Sequence, residues 1–166
     1  MYQFATNMGT PKRFVEYLKK VDSSAYRALS GKTPGSASFD KAWKQLASTN
    51  KNFAQYQHDF VQQQYYEPAV KSVLKNNGLD VTKRSKAVQD AIWSTAVQHG
   101  TGSVTRIVKA AGITPMMNDA EILKRLYAER GANNGKKYFS SSDSDTRASV
   151  VKRFKNELSD ALSMLG

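Results

Sequence analysis

Three glutamates sit where a helix could present them to a substrate. Glu16 lies one turn into the first helical segment, off the apolar stripe of Phe14, Leu18 and Val21. Glu67 stands between Tyr66 and Pro68, and Glu129 precedes Arg130. Cleaving a glycosidic bond takes two carboxylates, roughly 5–9.5 Å apart. No pair of these glutamates is marked by its spacing, and each reads rather as a surface or helix-pairing group. Other chemistries find less. The two histidines, His58 and His99, fall in no zinc-binding spacing, and the chain has no cysteine. Thiolate catalysis and disulfides are therefore excluded. No serine sits in a nucleophile elbow. Gly100-Thr101-Gly102 lacks the lysine and the preceding strand of a phosphate loop, so it reads as a helix stop. No metal and no cofactor is called for.

Two segments remain. In Trp93-Ser94-Thr95-Ala96-Val97-Gln98-His99-Gly100, a polar pair ends a helix just before a glycine. Gln98 and His99 can project into a cleft from a helix held by packing. Alternatively, His99 meets the helix C-terminal dipole and Gln98 is surface. The other segment is the opening, Met1-Tyr2-Gln3-Phe4-Ala5-Thr6-Asn7-Met8-Gly9-Thr10-Pro11. Terminal residues are usually loosely held unless something ties them down. Tyr-Gln-Phe at a terminus reads as part of a site whose other half lies upstream.

The elements that position these groups read as helices. Thr10 and Pro11 suit a helix start, with the helix running to about Val21. A Ser-, Gly- and Pro-rich loop, residues 30–36, follows. Ser38 can cap a helix carrying Phe39, Ala42, Trp43 and Leu46 on one face. Phe53, Tyr56, Phe60 and Val61 repeat at helical spacing up to Tyr65-Tyr66. Pro68 should break or kink that helix, and a continuation ends at Asn76-Asn77-Gly78. Ser85 to His99 is a strong helix with Val88, Ala91, Ile92, Thr95 and Ala96 inward, closed by Gly100 and Gly102. A short helix, Val104 to Ala111, ends at Gly112. Asn118 with Glu121 resembles a capping box ahead of Ile122, Leu123, Leu126 and Tyr127. A polar loop leads to a last helix, about Thr146 to Leu165, burying Val150, Val151, Phe154, Leu158 and Leu162. Period-two alternation is scarce. The expectation is a single all-α domain, residues 1–166, of seven to nine helices.

Charge narrows the partners. The chain of 166 residues carries a formal +11, spread evenly as +6 over residues 1–83 and +5 over residues 84–166. Such a field favours polyanions: nucleic acid, anionic membrane surfaces or acidic wall polymers. It also suits a merely solvated surface. No apolar run is long enough to span a bilayer. The first twenty residues hold Lys12, Arg13, Lys19 and Lys20 with no apolar core, so no secretory signal is read there.

At this point the residues resemble a family. Tyr2-Gln3-Phe4-Ala5, Asn7-Met8-Gly9-Thr10 and Phe14-Val15 are similar to a segment of lysozyme-like, chitosanase-related muramidases. These cell-wall lytic domains occur in phage endolysins and fused to type VI secretion spike proteins or effectors. Residues 88–100 resemble the family's Trp-containing helix ending in Gln-His-Gly, with Gln98, His99 and Gly100 in those places. Tyr127 and Arg130 match its Tyr-x-x-Arg helix, and Arg153-Phe154-Lys155-Asn156-Glu157-Leu158 its terminal helix.

The resemblance implies a helical lysozyme-like fold and hydrolysis of bacterial cell-wall glycan. It also implies that the catalytic Glu and a Gly-Asp acid stand ahead of the Tyr-Gln segment. Nothing stands ahead of it here, so the expectation is a domain lacking its general acid, with no catalytic residue assigned and Glu16 as the fallback. Substrate contacts carried over are Tyr2, Gln3, Gln98 and His99. The implied truncation would leave apolar surface bare and invite self-association. Two alternatives stand beside this one. A non-catalytic glycan-binding module would stack sugars on Tyr2, Phe4, Tyr65, Tyr66 or Trp93. A nucleic-acid-binding domain fits the pI near 9.8, but no helix reads as a concentrated basic face and no DNA-binding motif is present.

Overall fold

A proline that donates no hydrogen bond is tolerated in the first turn of a helix, and Pro11 occupies that place in α1 (Thr10–Val21). The structure is a computed structural model that describes residues 9–166. All regular structure among them is helical: nine α-helices, one π-helical turn and one 3₁₀ turn. The chain divides into two compact units, one reaching to Gln63 and one running from Gln64 to Gly166.

The first unit holds α1, α2 (Ser23–Leu29), α3 (Ala37–Thr49) and α4 (Phe53–Val61). Its core is aromatic. Phe14, wholly buried, packs against Trp43, Phe53 and Phe60 with ring centroids 5.4–5.7 Å apart. Tilted and edge-on pairs at this range add about 0.5–1.5 kcal/mol each beyond area burial. Leu18, Leu29, Phe39 and Val61 complete the buried set. Helix α2 was not foreseen. Its device is Asp22, whose carboxylate accepts from the Ser24 and Ala25 amides at 3.1 and 3.0 Å. Asn50 Nδ2 donates to the other oxygen at 2.9 Å, tying the α1–α2 corner to the end of α3. Those bonds, led by the one from Ala25, hold the Asp22 carboxyl below its ordinary pKa. Two caps differ from expectation. Gly9 in the left-handed region, not Thr10, precedes α1. Ser36, not Ser38, caps α3, accepting from the Phe39 amide at 3.2 Å.

The second unit holds α5 (Glu67–Asn77), α6 (Lys86–His99), α7 (Thr101–Ala110), α8 (Asp119–Arg130) and α9 (Ser144–Ser163). A π-helical turn, Gln62–Tyr66, runs directly into α5, so Pro68 does not break the helix as expected but falls just after the π turn, in the first turn of α5. Helix α6 is central and packs against α5, α7, α8 and α9. Val88, Ala91, Ile92, Thr95 and Ala96 are all buried, as its periodicity requires. Ser85 caps it, and the Ser85 amide itself donates to Asp119 at 2.8 Å, joining α6 to the start of α8. Gly102 lies inside α7, which begins three residues earlier than expected. Asn118 caps α8, accepting from the Glu121 amide at 2.9 Å, and Asp143 caps α9. Only Phe154 and Ala161 of α9 are buried; Val150, Val151, Leu158 and Leu162 are half-covered, because one side of this helix faces outward. The exposed large apolar side chains among the described residues, Val21, Leu74, Val97, Met116 and Met164, each lie on a different segment.

Candidate functional site

Gln98 and His99 sit at the last turn of α6, and Gly100 makes the corner into α7 with φ 82° and ψ 147°. That conformation is essentially closed to residues with a Cβ. It lets α7 start at once and keeps the α6 end against α8 and α9. Both side chains are half-buried, and each is drawn into a polar network.

The centre of that network is Arg130, at 0 % exposure the largest wholly buried side chain among the described residues. Its guanidinium lies between rings, 4.2 Å from the Phe154 centroid and 5.0 Å from that of Tyr127. Arg130 Nε donates to His99 Nε2 at 3.4 Å, and Nη2 donates to Ser94 Oγ at 3.2 Å. Nη1 faces Glu157 Oε2 at 3.6 Å. Glu157 Oε2 also accepts from Ser94 Oγ at 3.0 Å and from Tyr127 OH at 3.1 Å. Arg153 Nε lies 3.3 Å from Glu157 Oε1, and Arg153 Nη2 donates to Gln98 Oε1. A buried charge is costly unless paired and hydrogen-bonded. Four side chains from three helices answer that cost at Glu157.

The electrostatics define what this cluster can do. Burial, with the Arg130 and Arg153 cations next, pulls the His99 pKa down to about 4. At neutral pH His99 is therefore an uncharged acceptor, which is the form its bond from Arg130 requires. It packs edge-on or tilted against Tyr138 and Phe139, both at 5.4 Å. A neutral imidazole does not offer the charge that a helix C-terminal dipole would attract, and it is not a proton donor near pH 7. Burial and then the neighbouring Glu157 push the Tyr127 phenol up to about 12, so it stays a donor. Gln98 keeps its Nε2 without a hydrogen-bond partner among the described residues.

Glu16 lies in the other unit, exposed on α1, and lines a groove of about 390 Å³ with Lys12 and residues 30–34 of the loop after α2, Lys32 among them. It is the one carboxylate in that lining among the described residues. Glu67 is exposed in the first turn of α5. Glu129 is tied down: Tyr138 OH donates to it at 2.6 Å and the Lys137 ammonium pairs with it. Tyr66 and Trp93 stack on each other, centroids 5.1 Å apart, and Tyr65 is buried. Tyr2, Gln3 and Phe4 lie outside the described residues. No group of three His, Asp or Glu side chains gathers into a metal site among the described residues.

Sequence reasoning assigned no role to Ser94, Arg130, Arg153 or Glu157. A local signal existed. Tyr127 and Arg130 are three apart and Arg153 and Glu157 four apart, which puts each pair on one helix face.

Comparison with known proteins places this geometry in a family. Residues 1–158 match the family described as type VI secretion system spike protein VgrG3-like, C-terminal. One relative is the type VI secretion system spike protein VgrG3 of Vibrio cholerae serotype O1, 31 % identical over 101 residues. That alignment takes in 60 % of this chain and 9 % of the much longer relative. The match runs through the whole of α1–α8 and most of α9, so the chain belongs to the VgrG3-like C-terminal family of type VI secretion spike proteins.

Proposed function

We propose that the chain is a cell-wall-directed domain carried by a type VI secretion spike, acting on peptidoglycan glycan strands in the manner of a muramidase. The observation that carries this reading is the family match across residues 1–158. A domain attached to a secretion spike is exported with it, and no described helix is long and apolar enough to anchor it in a membrane. The wall polymer is anionic, and the chain is +11. Glycan hydrolysis would proceed with one carboxylic acid protonating the glycosidic oxygen while a second carboxylate activates water or stabilises the oxocarbenium ion. Our fallback candidate for one of these roles is Glu16, in the lining of its groove. We assign the other to no residue. Gln98 and His99 hold the α6–α7 corner as a substrate-facing rim, with Gln98 Nε2 the donor offered to a sugar hydroxyl.

A second reading has its own support. The groove at Glu16 shows one carboxylate, and Glu129 and Glu157 are both tied to cations. A domain without a working acid pair would bind wall glycan and not cut it. Purified peptidoglycan sacculi separate the two. Loss of turbidity with new reducing ends supports hydrolysis, and the Glu16→Gln variant then shows whether Glu16 takes part. Co-sedimentation without new ends supports the binding module. Neither binding nor cleavage would refute both.

A further inference from the structure

The outward side of α9 carries a pocket of about 420 Å³ in which Arg147, Lys152 and Lys155 meet Lys136 from the loop before the helix. The lining contains no aspartate or glutamate. Several cations of this unit are matched, Arg84 with Asp119, Lys86 with Asp90, Arg125 with Glu121, Lys137 with Glu129 and Arg153 with Glu157, while others such as Lys71, Lys75 and Lys124 stand singly on the surface; the pocket differs in gathering four cations at one place. The four pocket cations have no ion pair among the described residues. They gather because of how the loop returns. Asn133, Asn134 and Gly135 are successively left-handed, at φ 55°, 53° and 82°. They fold the chain back onto α9 so closely that a Cβ on Gly135 would lie 3.3 Å from Arg147 Cβ. The Arg147 guanidinium in turn donates to the Ser142 carbonyl, which fixes it at the pocket edge. The floor is apolar, from Ala148 and Val151.

Four like charges around one hollow repel each other, and no carboxylate among the described lining residues offsets that repulsion. An anionic ligand would do so. An open pocket lined by four cations beside the small apolar residues Ala148 and Val151 fits a short acidic peptide. Its carboxylates would reach the cations, and its small side chains would cover Ala148 and Val151. A nucleic-acid strand would be held here by its phosphates alone, since no aromatic side chain lines the pocket to stack its bases.

We propose that this pocket on α9 is a binding site for a short acidic peptide, the stem peptide of the wall polymer when the domain meets its substrate. The identification of that peptide with the stem rests on the glycan-directed reading above; the peptide chemistry does not. The pocket would hold the strand by its peptide branch and so choose peptide-bearing over bare glycan.

The test is a titration of the ¹⁵N-labelled chain, followed by NMR, with four probes: a soluble disaccharide-peptide fragment, the same sugar without peptide, inorganic phosphate and a short single-stranded DNA. The expected result is shift changes at residues 134–136 and 144–155 with the peptide-bearing fragment alone, weakened as salt is raised. The Lys152→Glu, Lys155→Glu double variant should lose at least about tenfold in affinity, with an unchanged melting curve, since both side chains are exposed. Equal binding of the peptide-free sugar, preferential binding of phosphate or DNA, or an unaltered affinity in the double variant would each overturn the proposal. If the wild type binds sacculi but the pocket ignores the peptide, this inference falls and the glycan reading stands. If the pocket binds the peptide and the chain neither binds nor cuts sacculi, the pocket stands and the glycan reading falls.

Discussion

Replacing Glu157 by glutamine keeps the shape of the α6–α8–α9 network and removes its one negative charge. Arg130 is at 0 % exposure and Glu157 at 31 %, so the cation cannot turn to water while its partner partly can. In Glu157→Gln, Arg130 retains the Ser94 hydroxyl at 3.2 Å and the neutral His99 nitrogen at 3.4 Å, but no carboxylate. Breaking a fully buried ion pair from one side costs about 3–5 kcal/mol. The looser 3.6 Å contact and the partial exposure of Glu157 place this case lower, at about 2–3 kcal/mol. Two charge-assisted bonds to Glu157, from the Ser94 and Tyr127 hydroxyls, must also be rebuilt around a neutral amide. For a domain of this size each kcal/mol moves Tm by about 2–4 °C, so a fall of about 4–12 °C is expected. Urea unfolding followed by far-UV circular dichroism measures it directly. The double variant Arg130→Met, Glu157→Leu should recover most of the loss, because it leaves no lone buried charge. A Glu157→Gln variant within about 0.5 kcal/mol of the parent would show that Arg130 is balanced by something other than Glu157, and the reasoning would fail.

Other outcomes follow from the same structure. The folded pKa of His99, about 4, lies below its ordinary 6.5. The unfolded chain therefore takes up its proton first, and stability that is full above pH 6.5 drains away as pH falls toward 4. The interval sets an upper bound of about 3 kcal/mol; with the ring partly reached by solvent, about 1–2 kcal/mol is expected. His99→Gln should flatten the stability curve between pH 5 and 6.5, and an unchanged slope there would count against the neutral imidazole. Asp22→Ala should cost about 1 kcal/mol at pH 7 by uncapping α2. Its penalty should be full above the carboxyl's ordinary 3.8 and shrink as pH falls below that value, where the unfolded chain takes up the proton first, and urea titrations at pH 7 and pH 2.5 compare the two. Phe14→Ala removes the ring at the centre of the first unit and should cost about 3–5 kcal/mol. Hydrogen exchange should show protection lost first in α1–α4, and equal loss at α6 would argue that the two units open together.

Much of the fold was legible locally. Ser85 before Val88, Ala91, Ile92, Thr95 and Ala96 announces α6, and Asn118 before Ile122, Leu123 and Leu126 announces α8, because a cap and a 3.6-residue stripe are both written in neighbouring positions. Helix α2 escaped because seven residues give too short a stripe, and its cap is secured by Asn50, 28 residues away. The outward half of α9 read as core because Val150, Val151, Leu158 and Leu162 keep helical spacing, while spacing does not say how far a neighbour reaches.

By itself the sequence determined that the chain is helical and strongly basic, that thiol chemistry is excluded, and which faces of α6 and α8 turn inward; on α1 it placed Phe14 and Leu18 correctly but also Val21, which is exposed. Periodicity, capping and composition are properties of adjacent residues. Only the tertiary structure decided that Arg130 is a buried cation answered by Glu157, that His99 is neutral, and that Lys136 joins the cations of α9 around one hollow. Those facts depend on groups up to 63 residues apart being brought within hydrogen-bonding reach, where burial and charge act through space and not along the chain.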